Sequence, residues 1–177
     1  MIVKIIQQLI RFLFLIVVQV VILNHIQWSG YVNPYVYVLF ILLLPVEIPN
    51  WLLLLLCLIT GLTIDMFGNS GGIHAAATVL MGFARPGVLR LIAPRDGYEI
   101  ETKLSPQVLG FNWFFAYSAM MVLIHHFAYF YIEVFRFSEF FMTFLKVLIN
   151  SAITIGLILL SQYLFGRQLN RNERIIG

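Results

Sequence analysis

Apolar runs of 15 to 26 residues, broken by short polar or glycine- and proline-bearing stretches, fill most of the chain. They predict helices over about 5–26, 34–48, 51–67, 73–92, 110–132 and 140–165. About 20 apolar residues cross a bilayer core, so the second and third are close to the lower limit. Pro45, Glu47, Pro49 and Asn50 mark the turn between those two, where prolines and a carboxylate end the apolar pattern. The expectation is an all-α polytopic membrane protein with six transmembrane helices in one domain, residues 1–177.

Composition narrows the class without changing it. The chain is 61% hydrophobic and 11% charged, far below the roughly 25% charge of soluble domains, with a mean hydropathy of +0.93. Such a chain cannot cover a water-facing surface, and no second folded domain fits beside six crossings. Lys4 and Arg11 precede the apolar run 12–23, but no small-x-small cleavage site follows it. The first helix is therefore expected to be retained. The lone Cys57 excludes an internal disulfide and reads as a small buried hydrophobe.

Charge sets the expected topology. Lys4, Arg11, Arg85, Arg90, Arg95, Lys103, Arg167, Arg171 and Arg174 fall on one side if both termini are cytoplasmic. Only Arg136 and Lys146 lie at the other interface, a strong positive-inside bias. Arg85, Arg90 and Arg95 then belong to the one sizeable cytoplasmic loop, a surface for a cytosolic partner or a solvated linker. Trp28, Tyr31 and Tyr35, with Tyr129 and Tyr131, match outer interfacial belts.

Polar residues inside the apolar runs are the candidates for function. Asp65 is the only formal charge in 51–81, and an ionised group at membrane depth costs several kcal/mol even on gentle scales. Gly61, Gly68, Gly72 and Gly82 would let the helices on either side of it approach closely and turn sharply. His74 lies within reach, and an Asp65–His74 pair would brace this hairpin. In the fifth helix Ser118, His125, Tyr129 and Glu133 share one face; in the sixth Thr143, Asn150, Thr154 and Ser161 share another. The first helix carries Lys4, Gln8, Arg11 and Gln19. Adjacent His125 and His126 point about 100° apart, so they cannot share a metal ion unaided. No P-loop, nucleophile elbow, HExxH or facing aspartate pair occurs, so no enzymatic activity, cofactor, metal or nucleic-acid partner is expected.

The order of features resembles the bacterial rod shape-determining protein MreD family. The shared elements are Asn33-Pro34, Gly61-Leu-Thr-Ile-Asp65, Phe67-Gly-Asn-Ser-Gly-Gly72 and an acidic residue near the outer end of the fifth helix, Glu133. They cover about 33–133. The resemblance implies a fold like that of the substrate-binding subunits of energy-coupling-factor vitamin transporters. It also implies a multi-pass protein of the bacterial inner membrane, a component of the elongasome that builds lateral peptidoglycan. Its partners would be MreC, a single-span protein, and with it the MreB filament, the polymerase RodA and a class B penicillin-binding protein. The competing reading is a vitamin-capturing transporter subunit. Those subunits dock their partner through small residues on the first helix, and 5–26 here has no Gly, Ala or Ser.

Overall fold

A computed structural model describes residues 2–25, 33–99, 102–135 and 137–176. Trp28, Tyr31 and Arg136, part of the expected interface pattern, lie outside the described residues. Every regular element described is helical. α1 (Ile2–Val17) continues through a π-helical turn (Val18–Ile22), α2 is Leu39–Leu42, and α3 is Asn50–Gly68. α4 (Ile73–Leu91), α5 (Pro106–Leu109), α6 (Phe111–Val134) and α7 (Phe140–Ile176) follow. Among the described residues four segments are long and apolar enough to cross a membrane: Ile5–Ile22, Asn50–Gly68, Phe111–Val134 and Phe140–Leu164.

The expected helix over 34–48 forms only in part. The chain is helical over 36–42, a 3-10 turn (Val36–Val38) running into α2. Local chemistry explains the truncation. Tyr35 is held at φ −110°, ψ 75°, outside the helical region. Val36 and Val38 are β-branched, and Pro45 disfavours helical backbone at Leu44. Yet residues 35–42 are all buried, and Tyr37, Val38, Ile41 and Leu42 are fully enclosed. An interrupted segment thus runs through the centre of the bundle.

Hydrogen bonds fix the direction of each neighbour along that segment. On α4, His74 lies level with Tyr37, and Arg85 level with Leu44. Eleven residues of helix separate these levels, about 16 Å of rise. α6 runs the opposite way, from Tyr117 beside Leu42 to His125 beside Tyr37. α1 rises from Arg11 near Leu43 to Gln19 near Pro34, and α7 descends from Asn150 and Thr154 to Gln162. Successive long segments therefore alternate in direction. α1 is the most peripheral, with only 17% of its apolar window buried.

α3 and α4 form an antiparallel hairpin packed on glycine. A methyl group built on Gly61 would lie 2.6 Å from the Ala75 nitrogen and overlap its Cα. One at Gly82 would collide with the Cys57 sulfur. The turn needs left-handed backbone at Asn69, Gly71 and Gly72 (φ 50°, 63° and 95°), which is why small residues crowd there. Gly68, by contrast, has room for a methyl at ordinary contact distance from Ser70.

Replacing Gly61 with Ala should therefore separate α3 from α4 and cost about 1–3 kcal/mol. Gly156→Ala, on an open surface of α7, is the control and should be near neutral. Reversible unfolding in mixed micelles distinguishes them; equal stability of the two variants would remove close helix contact at Gly61 from the account.

Candidate functional site

Interrupting a helix leaves peptide N–H and C=O groups without partners, and no water reaches them at membrane depth. Side chains from four other helices take the place of the missing bonds. At one end, Gln19 uses both ends of its amide: Oε1 accepts from the Tyr37 N–H at 3.3 Å, and Nε2 donates to the Pro34 carbonyl at 3.0 Å. Gln19 sits in the π-helical turn of α1 and is 1% exposed, on a helix otherwise largely open. π-turns often mark such functional insertions. From α7, Asn150 Oδ1 accepts the Asn33 N–H at 2.6 Å and Thr154 Oγ1 accepts the Tyr35 N–H at 3.1 Å.

At the other end the acceptors are capped by a cation. Arg85 is 1% exposed; its Nη2 donates to the Leu44 carbonyl at 2.5 Å and to that of Pro45 at 3.3 Å. Its Nε donates to the Tyr117 hydroxyl at 2.9 Å, which in turn donates to the Leu42 carbonyl at 3.2 Å. The fork geometry of guanidinium suits several carbonyl oxygens at once. Arg85 was expected in the cytoplasmic loop; the structure corrects this, because α4 continues past it and carries it into the core. Arg90 and Arg95 are exposed, at the end of α4 and in the following loop. That loop is pinned: Tyr98 donates to the Leu89 carbonyl, Trp113 to that of Ile92, and Leu104 is buried.

Between the two ends lies a hub on Tyr37. Its hydroxyl contacts His74 Nδ1 at 3.1 Å, Thr78 Oγ1 at 3.1 Å and His125 Nε2 at 2.7 Å. Thr78 gives its own proton to the His74 carbonyl. Proton counting then makes Tyr37 the donor to Thr78 and the acceptor from both imidazoles. His125 Nδ1 is left as a bare acceptor, and it has no partner. His126 contacts Thr154 through Nε2 and the Val122 carbonyl through Nδ1. The Tyr35 ring packs against His74, His125, His126 and Tyr129.

Asp65 is 7% exposed and serves the hairpin rather than the hub. Oδ1 accepts from the His74 N–H at 3.1 Å and the Ser70 hydroxyl at 2.5 Å; Oδ2 accepts from the Ala75 N–H at 2.9 Å. It caps the first turn of α4 from the end of α3, where a negative charge also meets the positive helix terminus. The expected Asp65–His74 contact is made with the backbone of His74; the ring turns to Tyr37. Glu133 is exposed and accepts from Tyr129 at 3.3 Å. Ser118 and Ser161 bond within their own helices.

These groups hold one another and the chain's own backbone in position. Among the described residues no group of three or more His, Cys, Asp and Glu could hold a metal ion. Buried Met81 and Met121 occupy α4 and α6 between the Tyr37 hub and Arg85, and no described hydrogen bond joins the two clusters. Among the described residues an apolar groove of about 420 Å³ lies between α4 (Leu80), α6 (Leu123, Ile124, Phe127) and α7 (Phe144, Val147, Leu148). Comparison with known families, curated proteins and solved structures gives no match.

Sequence reasoning flagged Asp65, Gln19, Asn150, Thr154 and His125 as polar marks in apolar runs, but not Tyr37, Tyr117 or the burial of Arg85. Arg85→Met should strand the carbonyls of Leu44 and Pro45 and cost about 2–4 kcal/mol. Arg85→Lys should recover only part, since an ammonium cannot reproduce the fork. Unfolding titrations in bicelles provide the check, and wild-type stability in Arg85→Met would refute the capping role.

Proposed function

We propose that this chain is a non-catalytic membrane scaffold of the MreD type. In this reading six segments cross the bacterial inner membrane with both termini cytoplasmic, and the interrupted segment counts as one of the six. The protein binds a single-span partner such as MreC and joins it to the MreB filament, to RodA and to a class B penicillin-binding protein. The observation that carries the reading is how the polar groups are used. Gln19, Arg85, Asn150, Thr154 and Asp65 are consumed in holding the chain's own backbone. An apolar groove among the described residues is open, and it suits a membrane helix better than a polar solute. The alternating directions of the segments, and the Asn33-Pro34 and Gly61–Asp65 motifs placed at the core and the hairpin, support the same reading.

One feature favours the transporter-subunit alternative. Interrupted helices in a bundle core are a common way to build substrate sites in transporters. Against it stand the bulky outer face of α1, with Ile6, Leu9, Leu13 and Val17 exposed, and the apolar character of the groove.

Asp65→Leu should uncap α4, displace the hairpin and reduce co-purification of the MreC-type partner several-fold, with loss of rod shape. Asp65→Asn, which keeps acceptor oxygen and shape, should be milder. Native mass spectrometry of the protein from its own cells reads partner and ligand together. A bound vitamin with an ATPase-containing partner, in place of the single-span protein, would overturn the scaffold reading.

A further inference from the structure

The peptide groups of the interrupted segment are bonded by Gln19, Asn150 and Thr154 at one end and by Arg85 and Tyr117 at the other. None of those bonds uses the rings of His74 and His125, whose described hydrogen bonds run to the Tyr37 hydroxyl. Two apolar side chains would fill the same space without the cost of burying polar rings. The hub therefore has no part in satisfying the backbone. Ionisable side chains in the core of a membrane bundle mark a function by default.

The hub is joined to one end of the bundle and not to the other. Glu133 is exposed and accepts from the Tyr129 hydroxyl at 3.3 Å. The Tyr129 ring lies against the His74 ring, with centroids 4.5 Å apart, and His74 bonds Tyr37, which bonds His125. Exposure falls along the same line: His74 and Tyr129 keep a few per cent, Tyr37 and His125 none. In the other direction Met81 and Met121 intervene, and no described hydrogen bond continues to Arg85 or Tyr117. The Glu133 end lies opposite both chain termini, which is the outer side in the topology proposed above.

The closed hub has no place for an added proton. Tyr37 already accepts from both rings and donates to Thr78. A proton on His125 Nδ1 would be an N–H facing no acceptor. Among the neighbouring titratable groups, His74 and His126 could only repel the new charge, and the Tyr35 and Tyr37 hydroxyls and the Cys57 thiol are neutral. The Asp65 oxygens on α3 are taken up by the hairpin, and Glu133 is held by Tyr129. From α1 and α7 the segment meets Gln19, Asn150 and Thr154, which do not titrate; Lys146, one turn from Asn150, adds a cation. Once the hub opens, water supplies the missing acceptors and the rings can charge. The closed arrangement binds fewer protons than the open one, so its stability falls as pH falls.

We propose that the His74–Tyr37–His125 hub is a proton-responsive latch, which protons arriving from the Glu133 end open to release the neighbouring end of the interrupted segment. The latch stands or falls separately from the identity of the single-span partner.

The test follows histidine nitrogen-15 resonances and amide exchange of the full chain in nanodiscs from about pH 7.5 to about pH 4.5. At the upper pH His74 should carry its proton on Nδ1 and His125 on Nε2. Toward the lower pH imidazolium should appear while protection of the Tyr37 amide, corrected for intrinsic exchange, falls at least tenfold. The Leu44 amide, at the Arg85 end, should keep its protection; parallel loss at both sites would be general acid unfolding and would overturn the proposal. Neutral rings and full Tyr37 protection at the lower pH would overturn it too. The variant H74N/H125Q can donate from similar positions but does not titrate, and should hold Tyr37 protection within about threefold across the range. A pH response that survives there would place the titration elsewhere. In sealed vesicles of one orientation, acid on the Glu133 side alone should open the latch, and opening by acid on the side of the termini alone would refute the route.

Discussion

A peptide group without a hydrogen bond costs several kcal/mol in hydrocarbon, and a chain that breaks its helix at membrane depth must supply partners from elsewhere. That constraint organises this molecule. The segment 33–45, enclosed by the other helices, could not be buried in apolar surroundings alone. It is tolerated because Gln19, Asn150 and Thr154 bond its peptide groups at one end, and Arg85, with Tyr117, at the other. These residues come from α1, α7, α4 and α6, so the segment ties together helices that would otherwise meet mainly through dispersion. Within a bilayer such ties carry more of the specificity, since lipid tails compete evenly with apolar side chains.

The hairpin of α3 and α4 supplies the rigid wall behind the segment. Its glycine contacts bring the two backbones close, and Asp65 locks the turn by capping α4. The same helix presents His74 and Thr78 to Tyr37, and Arg85 to the other end of the segment. Setting the hairpin therefore sets three contacts to the segment at once. Among the described residues the buried side-chain nitrogen and oxygen atoms are satisfied almost completely, the exceptions being His125 Nδ1 and Ser151 Oγ. Two polar clusters satisfied to this extent favour one arrangement of the helices over many.

Much of the helical framework was legible in the apolar pattern, because four of the runs are long, nearly free of charge and bounded by turn residues. The polar marks inside them were legible for the same reason: Asp65 and Gln19 stand out against their surroundings. Their partners were not. Period and spacing place residues on a face, but they do not tell that Asp65 would meet backbone N–H groups rather than an imidazole. Arg85 was misplaced because it lies close to Arg90 and Arg95 in sequence, so it reads as part of a charged loop. Only its spacing of seven from Thr78 and four from Met81 hinted that it continues the buried face of α4. The interruption of the second helix was written in Val36, Val38 and Pro45, but its burial depended on carbonyl and amide partners far along the chain.

The most direct test of the central claim is amide hydrogen exchange at Tyr35 and Tyr37 in nanodiscs, since both N–H groups are held by side chains alone. The account predicts strong protection at both sites, with Thr154→Val exposing Tyr35 and leaving Tyr37 protected. Exchange of both amides at the rate of an open loop in the unmodified protein would contradict it.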